Sequence, residues 1–367
     1  MADEVLRNWQ PQWAVRPGRI LAESLEERAM SQVELARRTA RPLKTINEII
    51  NGKASITADT ALQLEHVLRV PARFWLNLER DYGESMARMR EHERRTKQAD
   101  WVSRFPLAAM RRQNLIPATR RKAELLDAVL RFFGVSSPEA WEQQQEAVAA
   151  SFRQSKAFAT NAEAIAVWLR HGERQAAAIQ TQPFDAAKLE ALLPRIREMS
   201  LADPAVFSIE LPKLLATVGV VLVFTRDVPG TRIAGATRWL TPERVLIQLS
   251  LRHRRDDQFW FALFHEIGHV LKGGRRRGYI EAEPSGTDVE EIAANEFASD
   301  HLIARDKYDL FVADGDFSAA AVEGFADSVG VPSGVVVGRL QHDEYIPFSS
   351  LQYMKQPVLW PEEAGPA

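Results

Sequence analysis

The sequence predicts a multi-domain fold: an all-α domain at the N-terminus, a helical connector, and a C-terminal α+β domain with a small sheet. Three observations carry this. The chain has 367 residues, more than one small domain holds. Up to residue 215 the apolar positions recur with helical period, and turns are marked by cap residues, Gly or Pro. Beyond that point β-branched runs begin, first in Val218–Phe224 and then in Ile233–Leu240 and Val245–Ser250. These shifts divide the chain into 1–80, 81–199, 200–350 and a tail, 351–367.

Composition narrows the chemistry. Apolar residues make up 46% and charged residues 26%, so the chain has enough apolar surface to fold throughout. It has no cysteine, which removes disulfides and thiolate metal sites and leaves His, Asp and Glu as metal ligands. Met1–Gln10 is polar and charged, and no later run reaches membrane-spanning length, so a cytoplasmic location without membrane contact is expected. A net charge of −2 argues against general coating of nucleic acid, while a local basic face stays available.

The first element pair is a helix-turn-helix. Ser31-Gln32-Val33-Glu34 reads as a capping box, in which Ser31 accepts from the Glu34 backbone and Glu34 reaches back. It opens a helix through Arg38. Pro42 starts a second helix, Leu43–Ile50, which Asn51-Gly52 ends. Leu43, Ile46 and Ile50 are expected to face inward. Arg41, Lys44, Thr45, Asn47 and Glu48 then face outward, where a recognition helix offers side chains to base edges and phosphates. Between Arg28 and Lys53 there are six basic and two acidic residues, which gives a modest local positive patch. One short helix reads few base pairs, so a homodimer on double-stranded operator DNA is expected.

The connector is basic and helical from Arg88 to Arg131. Phe132-Phe133-Gly134-Val135 followed by Ser136-Ser137-Pro138 stops one helix and starts another, and a further helix enters at Pro183 or Asp185. No phosphate-binding glycine loop and no serine-nucleophile motif is present. The Pro-rich end from Gln356 is expected to fray.

Chemistry concentrates in His265-Glu266-Ile267-Gly268-His269. On a helix, residues four apart share a face, so both imidazoles can aim at one metal ion, zinc by choice of ligands. Glu266 stands beside them as the general base for an activated water. The apolar run Phe259–Phe264 buries the helix, and Gly268 invites close approach of another segment. A third ligand is expected from a following helix, where Glu291 shares a face with Ala294, Asn295, Ala298 and Leu302. Glu290 and Asp288 are competing carboxylates, and Asn295 can support a ligand by hydrogen bonding. The Trp239 strand is expected to be an exposed edge able to pair with a peptide, and Arg275–Arg277 a charged loop beside the cleft. His301 is more simply a surface or capping histidine.

The stretch from Leu211 to His342 resembles the ImmA/IrrE metallo-endopeptidases, through Phe259–His269, then Glu291-x-x-Ala294-Asn295-x-Phe297-Ala298, and Gly330–Leu340. The resemblance implies a zincin-like fold, with His265, His269 and Glu291 as zinc ligands and Glu266 as base. Ile303-Ala304-Arg305 departs from the family's apolar pair and proline. Arg16–Leu78 resembles XRE-type regulators, especially HigA-type antitoxins, through Thr45–Lys53, Ile56-Thr57 and Phe74–Leu78. Together these imply a DNA-binding regulator with a zinc-dependent endopeptidase domain acting on a partner protein, a repressor, toxin or similar regulator. The rival is a non-catalytic antitoxin or repressor whose zinc domain is structural or sensory.

Overall fold

The structure is a computed structural model that describes residues 15–151, 161–252, 254–273, 279–282, 289–358 and 360. The chain divides into two compact units, Met1–Asp100 and Trp101–Ala367. The first is all-α: α1 (Pro17–Glu26), α2 (Gln32–Arg38), α3 (Leu43–Ile50), α4 (Ala58–Leu68) and α5 (Ala72–Gln98). Its end lies beyond the expected boundary at residue 80 because α5 runs straight through that position. Beyond Trp75, α5 carries pairs of opposite charge one turn apart, Glu84 with Arg88, Glu91 with Arg95 and Glu93 with Lys97, which support an exposed helix.

Within this unit, Leu21, Leu35, Ile46, Ile49, Leu64 and Trp75 form the core. Ser31 Oγ accepts the Glu34 backbone N–H at 3.1 Å, the expected cap. The reciprocal half of the capping box differs, because Glu34 accepts from Arg38 and Arg37 instead. The inner face of α3 also differs from expectation. Ile46 and Ile49 are buried and Ile50 half-buried, whereas Leu43 in the first turn is exposed.

The second unit is layered around a sheet. Among the described residues the sheet has four strands, β1 (Val220–Phe224), β2 (Ile233–Thr241), β3 (Arg244–Leu249) and β4 (Tyr279–Ala282), in the order β1-β3-β2-β4. β1 runs parallel to β3, while β2 is antiparallel to both β3 and β4. The three strands read from the sequence are present. β4 is an addition too short to signal itself, and it pairs along Ile233–Thr237, so this part of β2 is interior rather than an exposed edge. Trp239 lies past the β4 pairing and packs edge-on against Phe184.

Strand alternation decides which layer each side chain joins. Val220, Leu222, Val245 and Ile247 face α12 (Asp256–Lys272), in a core that includes Trp260, Leu263, Phe264 and Ile267. The opposite face carries helices from the middle of the chain, among them α6 (Leu107–Arg112), α7 (Lys122–Phe133), α8 (Pro138–Ser151) and α9 (Ala162–Ala176). Helix α9 is fixed to the sheet by polar contacts. Gln248 donates to the Trp168 carbonyl at 2.7 Å, and Arg238 donates to Glu173 at 2.6 Å and to the Leu169 carbonyl at 2.7 Å. The middle helices are thus one layer of the sheet-bearing unit. Gly134 caps α7 at φ 75°, and Asp185 caps the helix Ala186–Glu198, as the sequence indicates.

On the α12 side the sheet unit is completed by α10 (Ala186–Glu198), α11 (Pro204–Ala216), α13 (Val289–Leu302), α14 (Arg305–Asp314), α15 (Ala319–Val329) and α16 (Ser333–His342). The C-terminal segment does not fray at Gln356. Val358 and Trp360 are buried, the Val358 N–H donates to the Arg254 carbonyl, and Lys355 Nζ reaches Asp257 Oδ2 at 2.6 Å and Gln341 Oε1 at 2.7 Å. Apolar burial and these bonds hold the segment against the start of α12. Arg275–Arg277 and Asp288 lie outside the described residues. Among the described residues no single helix is long and apolar enough to cross a membrane.

Candidate metal centre and recognition helix

Helix α12 presents His265 and His269 on one face, with their Nε2 atoms 2.9 Å apart, and both side chains are almost wholly buried. Glu291 comes from the first turn of α13. Its carboxylate oxygens stand 3.2 Å from His265 Nε2 and 3.4 Å from His269 Nε2, so three ligating groups converge on one point. Burial by itself raises the Glu291 carboxyl, but hydrogen bonds from His265 and then His269 outweigh it and bring it down to about 2. An ionised carboxylate is therefore the resting form at neutral pH. Of the two described carboxylates weighed from the sequence, Glu291 is brought into this cluster and Glu290 is not part of it.

The close packing of α12 on α13 rests on small residues. A Cβ added at Gly268 would stand 3.2 Å from Ala294 Cα and 3.2 Å from Phe297 Cδ1. Ala294 and Ala298 are buried in the same seam. One turn from Glu291, Asn295 Oδ1 lies 2.8 Å from His265 Nδ1. That contact fixes the orientation of the ring and turns Nε2 toward Glu291 and His269.

Glu266 is fully buried beneath β2. Thr237 Oγ1 donates to Glu266 Oε2 at 2.6 Å, and Gly235 lies beneath the carboxylate. Neither residue was singled out from the sequence. A glycine inside a strand is the one local signal, since it marks a bulge or a close approach. His301 stays out of the cluster: its Nδ1–H donates to the Phe297 carbonyl at 2.8 Å, and its ring stacks on Phe297.

In the first unit, the five outward residues of the recognition helix divide into two groups. Lys44 and Asn47 are exposed on α3, Lys44 lying 3.9 Å from Glu48. Thr45 and Glu48 are half-buried, and Asn47 bonds to Asn51. Arg41, before the helix, donates to Gln63 on α4 and is half-buried.

Comparison with known proteins finds a separate match in each of the two units. Residues 21–75 match the helix-turn-helix family, and residues 220–341 match the family described as IrrE N-terminal-like domain. An uncharacterized HTH-type transcriptional regulator of Escherichia coli, YddM, is 38% identical over 64 residues, covering 17% of this chain and 68% of the relative. The chain belongs to the XRE-type helix-turn-helix regulators, fused to an ImmA/IrrE-type domain. Virulence-associated protein I of Dichelobacter nodosus is 39% identical over 75 residues, covering 20% of this chain and 69% of that protein. A HigA-family addiction module antidote protein of Coxiella burnetii is 40% identical and covers 23% of this chain and 94% of its own, with a TM-score of 0.22. The IrrE-like match spans β1 to α16 and contains His265, Glu266, His269 and Glu291.

Proposed function

We propose that this chain is a DNA-binding regulator whose second unit is a zinc-dependent endopeptidase acting on a partner regulatory protein, a repressor, toxin or similar regulator. The observation that carries the reading is the convergence of His265, His269 and Glu291 beside the buried carboxylate of Glu266. The donor set suits zinc: two imidazole nitrogens and one carboxylate oxygen leave one position of a tetrahedron open. Donors about 2.0–2.1 Å from zinc in a tetrahedron stand about 3.3 Å from one another. The separations here, 2.9, 3.2 and 3.4 Å, bracket that value. Bound there, zinc would supply the Lewis acid that polarises a scissile carbonyl and acidifies water.

The protein's own groups do the rest. Glu266 accepts the proton of the attacking water on its carboxylate and passes it to the departing amine, the role a general base then acid requires. Asn295 keeps the His265 ring in the orientation that ligates, and Glu291 stays ionised. The α3 face bearing Lys44 and Asn47 reads operator DNA as part of a homodimer, with Thr45, Glu48 and Arg41 at its margin.

The test uses Glu266→Gln. Zinc content measured on purified chain should be one per chain in parent and variant alike, because Glu266 is not a ligand, while His265→Ala and Glu291→Gln lose metal. In the native host, partner proteins cut by the parent should keep full length in the Glu266→Gln strain. Identical partner lengths in both strains would sink the peptidase reading and leave a zinc-bearing repressor or antitoxin.

A further inference from the structure

Strand β2 runs directly against the Glu266 side chain. The Thr237 hydroxyl lies 2.6 Å from Glu266 Oε2 and 3.3 Å from the Glu266 carbonyl, and its single proton goes to the nearer acceptor. Two residues earlier, and so on the same face of the strand, Gly235 leaves free the space that the Glu266 side chain takes. A Cβ there would stand 2.4 Å from Glu266 Oε1, 2.9 Å from Cγ and 3.0 Å from Cδ. The carboxylate thus lies along bare strand backbone with one oxygen pinned.

The strand itself cannot slip. Thr237 pairs with Ile247 on β3 and Tyr279 on β4, and Gly235 pairs with Leu249 and Glu281. On the other face, Arg238 is tied to Glu173 and the Leu169 carbonyl, which anchors β2 to α9. A glutamate has three side-chain torsions, and burial alone does not choose among their wells. The hydroxyl and the missing Cβ together select one.

We propose that Thr237 and Gly235 are positioning residues that set the Glu266 carboxylate for proton transfer. The inference rests on the peptidase reading for the role of Glu266. The interaction itself is independent of that reading and of the metal.

Two measurements test it. In the metal-free full-length chain, urea unfolding is compared for Thr237→Val and Thr237→Ser, each in the parent and in Glu266→Ala. Losing a hydrogen bond in a buried site, with the acceptor left unsatisfied, should lower the folding equilibrium constant about tenfold or more for Thr237→Val. Serine should restore most of the loss, and the valine effect should shrink to about twofold or less once Glu266 is alanine, the signature of direct coupling. Equal losses in both backgrounds would overturn the proposal and make Thr237 an ordinary core residue. The second measurement covers the case in which Glu266→Ala does not fold. With the cleaved partner as purified substrate, Thr237→Val and Gly235→Ala should lower kcat about tenfold or more at unchanged zinc content and KM within about twofold, with Thr237→Ser close to the parent. A rise in KM with kcat intact would also overturn it. The two readings fail separately: a parent that cleaves nothing removes the base but leaves the coupling, whereas absent coupling with intact cleavage removes the positioning role alone.

Discussion

Gly268→Ala puts a methyl group into the α12–α13 seam, and its effect can be worked from opposing magnitudes. Alanine favours a helix interior over glycine by about 0.8–1 kcal/mol. Against that, the new carbon stands 3.2 Å from Ala294 Cα and 3.2 Å from Phe297 Cδ1. The phenylalanine ring can turn aside, but Ala294 Cα is backbone, so α13 must move by a few tenths of an ångström. Overpacking of this kind costs about 1–3 kcal/mol. The terms nearly offset, and the expected net loss is about 0–2 kcal/mol, or a Tm lower by about 0–8 °C. Metal binding has no such offset. Ala294 lies between Glu291, whose carboxylate meets both histidines, and Asn295, which orients His265. Displacing α13 moves both, and loss of a supporting contact at a metal site costs roughly 10–100-fold in affinity. The assay is competition for zinc against a chromophoric chelator, run beside a thermal melt. Parental zinc affinity in a variant with a clearly lowered Tm would mean that the helix spacing is not what holds the ligand set.

Three further outcomes follow from the same geometry. Lys44→Ala and Asn47→Ala should each weaken operator binding, the lysine change also reducing the slope of affinity against salt, whereas Arg41→Ala should cost less because Arg41 is bonded to Gln63; gel-shift titration at two salt concentrations checks this, and a larger loss at Arg41 than at Lys44 contradicts it. Burial raises the Asp256 carboxyl from its ordinary 3.8 to about 6, so the folded state holds this proton more tightly than the unfolded chain does. Its contribution therefore declines as pH rises from about 4 to about 6 and is level above that, by up to about 3 kcal/mol at 1.36 kcal/mol per pKa unit. The parent minus Asp256→Asn difference in unfolding free energy should fall across that window, and a flat difference rules the idea out. Finally, Glu173→Gln should destabilise the second unit by about 2–3 kcal/mol, since it strips the charge partner from the mostly buried Arg238; a melt unchanged within about 1 °C would show the pair to be dispensable.

Local chemistry made much of this protein legible in its sequence. The Ser31 cap, Gly134, the Asp185 cap and the strands beginning near Val220, Ile233 and Val245 depend on residues within a few positions of one another. So does the shared face of His265 and His269, because a helix fixes what lies four residues apart. Glu291 was readable for a related reason, through the small residues on its face of α13 that allow close packing.

Other features were decided by contacts between residues far apart in the chain. Arg41 reads as a free cation beside the recognition helix, yet Gln63, from the next helix, claims it. Residues 101–151 and 161–176 carry no motif, and their role as a layer on the sheet appears only when Arg238 meets Glu173 and Gln248 meets the Trp168 carbonyl. The segment after Gln356 looks like a loose end until Val358 and Trp360 find their core and Lys355 finds Asp257. The helix bearing His265, Glu266 and His269, and the chemistry those residues offer, follow from neighbours within a single turn. What holds Glu266 in place is set by long-range packing, because Gly235 and Thr237 meet it by pairing a strand with a helix about thirty residues away, and no local periodicity encodes such a pairing.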